Sequence, residues 1–453
     1  MGVRGVLPVI VGILILGALG FSQKTDALSE SSDPFAILIK THDEILKNHS
    51  ILQNDDELFV SLEANKTYAF EFRPFLISND KSNFEYSFDV PPGAFVKIND
   101  NQWQPNLAHT TKDGTSNLLI ATNNSDEKTF QVHGYVIMSK NPGNLQLKWS
   151  QNTANDDATT LKEGSSLIVW DEDTATIKTK DEVISNNSIL QNDDELFVEL
   201  EANKTYAFEQ RVFLDSSDVP EFKYAFDIPS NATLKINNID WEATSPSSIF
   251  QQSDFPVLVR TEKGESVLEV HGFVSTLSEG GNLQFQWSQI TDDASDTIVK
   301  KGSSLVIWEQ SDKSVIKSSD EALKNNAVLQ NDDELFVALE ANKTYEFEQR
   351  VLVVADSKIP ELKYTFEIPT NATIRIGNED WNSNTARNSI DGTTIVPFVP
   401  LGADDRYIQI HGHVETSSTP GNLQFKWSQN NAHSDNVTVR TGSSLVVYEA
   451  GNN

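Results

Sequence analysis

The polar residues with most potential for chemistry sit in a short acidic run, Asn54-Asp55-Asp56-Glu57, which returns as Asn192-Asp193-Asp194-Glu195 and Asn331-Asp332-Asp333-Glu334. Carboxylate and amide oxygens are the hard donors that calcium takes, and loop carbonyls complete such shells. The run lacks the spacing of a helix–loop–helix calcium site, and neighbouring acids on a strand point to opposite faces. The competing reading is an acidic turn that leads into a Leu-Phe-Val strand, and residue type without geometry favours the turn.

Tryptophan supplies a second constellation. Trp103, Trp241 and Trp381 each follow amide- and acid-rich residues. An indole beside such groups can stack on the apolar face of a sugar while its neighbours hold the hydroxyls. The alternative is an indole folded back to plug the end of a β-sandwich, and its size favours that. Trp149, Trp287 and Trp427 occupy apolar positions of an alternating strand and are expected in the core. Trp170, Trp308 and Tyr448 have the opposite parity to Leu167, Leu305 and Leu445, which leaves them open to solvent exposure.

His133, His271 and His411 each precede a glycine within an inferred strand. Three equivalent histidines invite a metal reading, but no second ligand set with suitable spacing accompanies them. Nine Asn-x-Ser/Thr sequons occur, at Asn48, Asn65, Asn123, Asn186, Asn203, Asn231, Asn342, Asn371 and Asn436. Asn65, Asn203 and Asn342 fall in the same Asn-Lys-Thr turn, and with Asn231 and Asn371 they are the preferred glycan acceptors of an exported chain. A chain this rich in Asn, Ser and Thr also produces sequons by composition alone. The chain carries no zinc-protease helix, nucleophile elbow or phosphate-binding glycine loop, and it reads as a non-enzyme with no cofactor beyond a possible calcium ion.

The bulk composition narrows the partners. With 66 acidic against 35 basic side chains the net charge is −31, a surface that repels phosphate backbones and so argues against nucleic acid. The absence of cysteine removes disulfides, lipid attachment to a cysteine and thiolate chemistry. Arg4 precedes an uncharged, mostly apolar run from Gly5 to Phe21, followed by a polar stretch to Pro34. Residues 1–22 therefore read as an apolar helix that serves as a signal peptide or as a retained membrane anchor, with 23–34 as linker. Either way the body is expected outside the cell, touching the membrane through that segment alone.

Internal repetition sets the organisation. Leu52 to Val60 returns unchanged at Leu190 to Val198 and at Leu329 to Val337, and Gly-Ser-Ser-Leu recurs from Gly164, Gly302 and Gly442. The spacing of 138 to 140 residues divides the chain into repeats at 35–172, 173–310 and 311–449. Within a repeat the apolar period is two. Phe222, Tyr224, Phe226 and Ile228 alternate with polar residues, as do Leu283, Phe285 and Trp287, and Tyr206 and Phe208 share a side with Val212 and Leu214. Thr41 to Glu44, Thr179 to Glu182 and Ser318 to Glu321 carry a capping-box pattern that allows one helical turn at most. The expected fold is all-β: three tandem antiparallel β-sandwich, jelly-roll-like domains after the N-terminal helix.

Leu190-Gln191-Asn192-Asp193-Asp194-Glu195-Leu196, Ala202-Asn203-Lys204-Thr205-Tyr206, and Gly281 to Trp287 with Gly302-Ser303-Ser304-Leu305 resemble a repeat domain of tailed-phage structural proteins and archaeal surface proteins. The strand layout is also similar to C1q and tumour-necrosis-factor-type jelly rolls, which form trimers. The first resemblance implies a structural role and supplies no catalytic residue. The second raises an intramolecular pseudo-trimer or a homo-oligomer against beads on a string, the arrangement slightly preferred because no self-complementary apolar face stands out. The expected function is an exported, adhesive or structural display protein at the cell surface or envelope. Its alternative is a carbohydrate- or calcium-binding module, with a surface glycan or an envelope protein as the partner.

Overall fold

The computed structural model describes residues 34–450, apart from residue 80 and segments 101–109, 121–126, 217–220, 240–247, 252–254, 261–263, 358–359, 380–388, 392–395 and 399–405. The expected N-terminal helix lies outside the described residues, as do Trp103, Trp241 and Trp381. No helix among the described residues is long and apolar enough to cross a membrane.

Strand is the regular secondary structure of the described residues, which hold no helix, and every strand pairing among them is antiparallel. The second repeat illustrates the layers. One sheet runs in the order Gln191–Leu200, Gly281–Gln289, Glu221–Asp227, Val257–Arg260. The facing sheet centres on Thr205–Ser216, flanked by Ser304–Glu309 on one side and Gly264–Ser275 on the other. Alternate side chains from both sheets meet between them, and Trp287, Phe285, Tyr224, Phe208 and Val212 are fully buried there. Burying each such side chain is worth roughly 1.5–3 kcal/mol. Equivalent cores form around Trp149 in the first repeat and Trp427 in the third. The expected core tryptophans and the period-two reading are thus in place.

Local sequence explains the departures. In the first repeat Pro74 follows Arg73, and the long central strand divides into Thr67–Arg73 and Phe75–Ile77. Proline has no N–H to give to the ladder, whereas Val212 and Val351 at the equivalent place let the strand continue. The capping-box segments form no helical turn. Glu182 lies in the strand Glu182–Ile184, and the Thr179 hydroxyl donates to Glu195 on a neighbouring strand. Asparagine turns have a backbone cause: Asn65, Asn203 and Asn342 have φ of 60°, 60° and 57°, a left-handed conformation that Asn tolerates better than most residues.

The central strands are buried on both faces, although a period of two predicts one inward, apolar face and one solvent-facing, polar face. Their second face meets the other repeats. A fourth core draws Ala69, Ile168 and Trp170 from the first repeat, Ala207, Phe273, Val306 and Trp308 from the second, and Val446 and Tyr448 from the third. Trp170, Trp308 and Tyr448 are therefore buried, not exposed, and beads on a string do not describe the packing.

The Gly-Ser-Ser-Leu motif serves the same contact. Gly164, Gly302 and Gly442 have φ of 84°, 87° and 93°. A Cβ at each would overlap a ring of another repeat: His413 at Gly164, Tyr135 at Gly302, Phe273 at Gly442. The three sockets are cyclic, third to first, first to second, second to third. Gly302→Ala should therefore lower stability twice over, through positive-φ strain of roughly 1–3 kcal/mol and a comparable overpacking cost. Gly264→Ala, also at positive φ but with open space beside it, should incur the backbone term alone. Equal losses in denaturant titration of the two variants would contradict the socket.

Candidate functional site

The residues singled out by charge and spacing are organised around lysines that sequence inspection passed over. Lys40, fifteen positions before Asp55, is fully buried and donates to Asp55 at 2.9 Å, Asp56 at 2.8 Å and Glu44 at 2.9 Å. Lys178 binds Glu182 and Asp193 at 2.8 Å, and Lys317 binds Glu321 and Asp332 at 2.9 Å. Burial opposes the charge on Lys40, but Asp55 and its hydrogen-bonded neighbours outweigh it and raise the ammonium above its ordinary range. The first acid of each cluster also accepts the backbone N–H groups two and three residues on, as Asp193 does from Glu195 and Leu196. Trp287 and Trp427 add indole N–H donors to Asp193 and Asp332 at 3.2 and 3.1 Å.

Glu44, Asp55 and Asp56 do stand within metal-ligand reach of one another, as do His42, Asp56 and Glu57. In the first set the Lys40 ammonium already takes the central place that calcium would need. The second set is exposed and has His42 Nε2 at 3.1 Å from Asp56. The acidic run is therefore no turn before a strand: Asp55, Asp56 and Glu57, with their equivalents Asp193, Asp194 and Glu195, and Asp332, Asp333 and Glu334, lie inside the strands Gln53–Leu62, Gln191–Leu200 and Gln330–Leu339, as a lysine-locked irregularity in the ladder.

A second polar constellation, which sequence reading missed, lies where the three repeats meet. Each central strand carries Glu-x-Arg at the same register: Glu71 and Arg73, Glu209 and Arg211, Glu348 and Arg350. Each arginine grips its own glutamate and reaches the next repeat's. Arg73 donates to Glu71 at 2.6 Å and to Glu348 at 2.9 Å. Arg211 pairs with Glu209 and donates to Glu71 at 3.1 Å. Arg350 donates to Glu348 at 2.7 Å and to Glu209 at 2.6 Å. The six groups close a ring with alternating charge, and all are buried. Arg211 also lies 5.5 Å over Trp170 and Arg350 lies 4.7 Å over Trp308.

Burial drives the Glu71 and Glu348 carboxyls upward, but their flanking arginines win and hold both at about 2. For Glu209 burial prevails over Arg211, His271 and Arg350, so its carboxyl is raised. Around the ring the charge is trimmed. Burial, reinforced by Arg350, lowers His271 to about 4, and burial with Arg211 holds His133 well below the ordinary histidine range. Burial raises Glu269 to about 7 and Glu346 to about 8. Glu346 stands where the other repeats have Ala69 and Ala207, 3.7 Å from Arg73 Nη1.

The triplicate histidines do converge on this region. His133 and His271 approach one Glu269 oxygen at 3.5 and 3.0 Å, and His411 meets the Thr129 hydroxyl at 2.8 Å. His133, Glu209 and Glu269, and Glu209, His271 and Glu348, stand within metal-ligand reach. The Glu209 and Glu348 carboxylates in these sets already serve guanidiniums, so a divalent ion would have to break the ring.

Among the preferred sequons, Asn65, Asn203, Asn231, Asn342 and Asn371 are all exposed and all have positive φ. No protein-family model matches the chain, and no curated protein matches it.

Two tests probe the ring. Arg211→Met strands Glu71 and Glu209 without a shared partner, and the loss should be roughly 3–5 kcal/mol in chemical denaturation. An unchanged midpoint would show that the ring is not holding these carboxylates. The second test uses pH. Glu346 releases its proton near 4.5 when unfolded but near about 8 when folded. Between those values the folded state keeps a proton that the unfolded state has lost, so stability falls as pH rises. His271 and His413, both lowered to about 4 by burial, work oppositely but only below their ordinary 6.5. From pH 7 to 8 the wild type should lose roughly 1 kcal/mol through Glu346. Glu346→Ala should remove that part of the decline in calorimetry at a series of pH values.

Proposed function

We propose that the chain is an exported, non-enzymatic surface or envelope protein whose three repeats form one rigid head for structural or adhesive display. The observation that carries this reading is the closed Arg–Glu ring with its three glycine sockets, which binds the repeats into a single body. Each repeat is taken as one domain, 35–172, 173–310 and 311–449, with a jelly-roll-like sandwich and a pseudo-trimeric arrangement. The three separate cores and the likeness to trimeric jelly rolls support this.

Repetition around a shared centre also multiplies whatever the surface offers. Ile51, Ile189 and Val328 occupy equivalent loop positions at 75, 76 and 75% exposure, and Phe59, Phe197 and Phe336 recur on the outer sheets. Three linked weak contacts can hold an envelope partner much more tightly than one, provided the geometry lets all engage together. Net negative charge suits solubility outside the cell and disfavours nucleic acid. The left-handed asparagine turns would present glycans outward if the chain passes a glycosylating compartment.

Immunogold labelling of intact cells with antibodies to residues 35–450 tests the placement. Label on the outer surface is expected. Label that appears only after permeabilisation would overturn the reading.

A further inference from the structure

The three seams between repeats are built from equivalent residues but are filled differently. In the seam between the first and second repeats, Tyr135 packs edge-on against Phe213 with ring centroids 4.9 Å apart. In the seam between the third and first, Phe75 lies 6.0 Å from the His411 ring, and the Thr129 hydroxyl bonds that histidine. In the seam between the second and third, Leu352 replaces the phenylalanine found at Phe75 and Phe213. A leucine is smaller than a phenyl ring, and here a cleft opens, with room for one water-sized or halide-sized guest.

Its lining is cationic and apolar, with Glu209, Glu269 and Glu348 lying behind Arg350 and His271. Lys235, His271, Phe273, Arg350, Leu352 and Tyr407 line it, with no carboxylate among the described lining residues. Arg350 spends Nε and Nη2 on the ring, and its Nη1, like that of Arg73 and Arg211, has no hydrogen-bond partner; here that nitrogen belongs to a residue that lines a cleft. Tyr407, 5% exposed, stacks on His271 at 5.3 Å and leaves its hydroxyl without a partner. The equivalent residues Thr129 and Val267 bring no such hydroxyl to a vacant space: Thr129 is bonded and Val267 is apolar. Burial keeps the phenol protonated, so it can only donate to an anion. A guest in the cleft would give both of these buried donors an acceptor.

We infer that the seam between the second and third repeats is a binding site for a small monatomic anion of the halide class, held by the Arg350 guanidinium and the Tyr407 hydroxyl with Lys235 at the wall. The site exists because Leu352 leaves unfilled the volume that Phe75 and Phe213 occupy elsewhere. Chloride binding would pin the third repeat to the second while leaving the ring's own pairs intact.

The test is thermal melting of the full chain in sodium chloride, sodium bromide and sodium gluconate at matched ionic strength, with bromide-soaked crystals read by anomalous scattering. The melting midpoint should climb with halide concentration but not with gluconate, and one bromide peak should lie beside Arg350 and Tyr407. Leu352→Phe, which installs the residue of the other two seams, should abolish the halide dependence. Tyr407→Phe should weaken it, and serves should the first variant fail to fold. A wild type indifferent to halide, a peak-free seam holding water alone, or undiminished dependence in both variants would overturn the site.

Discussion

A guanidinium cannot be buried beside a single carboxylate without leaving hydrogen-bonding capacity unmet, and in this chain that constraint organises three sequence repeats. Arg73, Arg211 and Arg350 each have a fork that one glutamate only partly satisfies. In each, Nη2 finds the carboxylate of the next repeat, while Nη1 stays without a hydrogen-bond partner. Desolvating an ion costs several kcal/mol, so the ring contributes more to register than to net stability. Opposed charges meet only when Glu71, Glu209 and Glu348 stand at one level, and a slip of one strand position would turn them into their own cores. Apolar contacts around Trp170, Trp308 and Tyr448 then supply attraction that the ring itself does not.

Much of the fold was legible because β periodicity is local. Phe222, Tyr224 and Phe226 alternate inward as their spacing indicates, and Trp149, Trp287 and Trp427 sit at the cores' centres. The other face of Thr205–Ser216 was not legible, for a physical reason. Ala207, Glu209, Arg211 and Phe213 look like a solvent-facing set when charge alone is considered, although their burial is nearly complete. The signal that could have revealed them is Glu-x-Arg recurring at one register, since opposite charges two apart on a strand share a face and can serve a neighbour. The acidic run was similarly half-read. Its carboxylates stood out, but the lysine that neutralises each one lies fifteen residues upstream, beyond any local pattern.

Carrying three copies on one chain permits what three identical subunits cannot. Equivalent positions hold Tyr135, Phe273 and His413, or Ala69, Ala207 and Glu346, or Phe75, Phe213 and Leu352. Each seam can thus acquire its own polarity and volume while the ring keeps its symmetry. Glu346, raised by burial beside Arg73, and the cleft beside Tyr407 are both products of that freedom. Glycines at Gly164, Gly302 and Gly442, by contrast, do not vary, because each must admit a ring from another repeat at a backbone angle that side chains rarely adopt.

Small-angle scattering from the full chain in dilute solution addresses the closed assembly most directly. A compact body of this length has a radius of gyration of about 22 Å. Three units strung end to end would give roughly 33 Å or more. The closed ring predicts the smaller value, unchanged by dilution, and a particle of the larger dimension would contradict it.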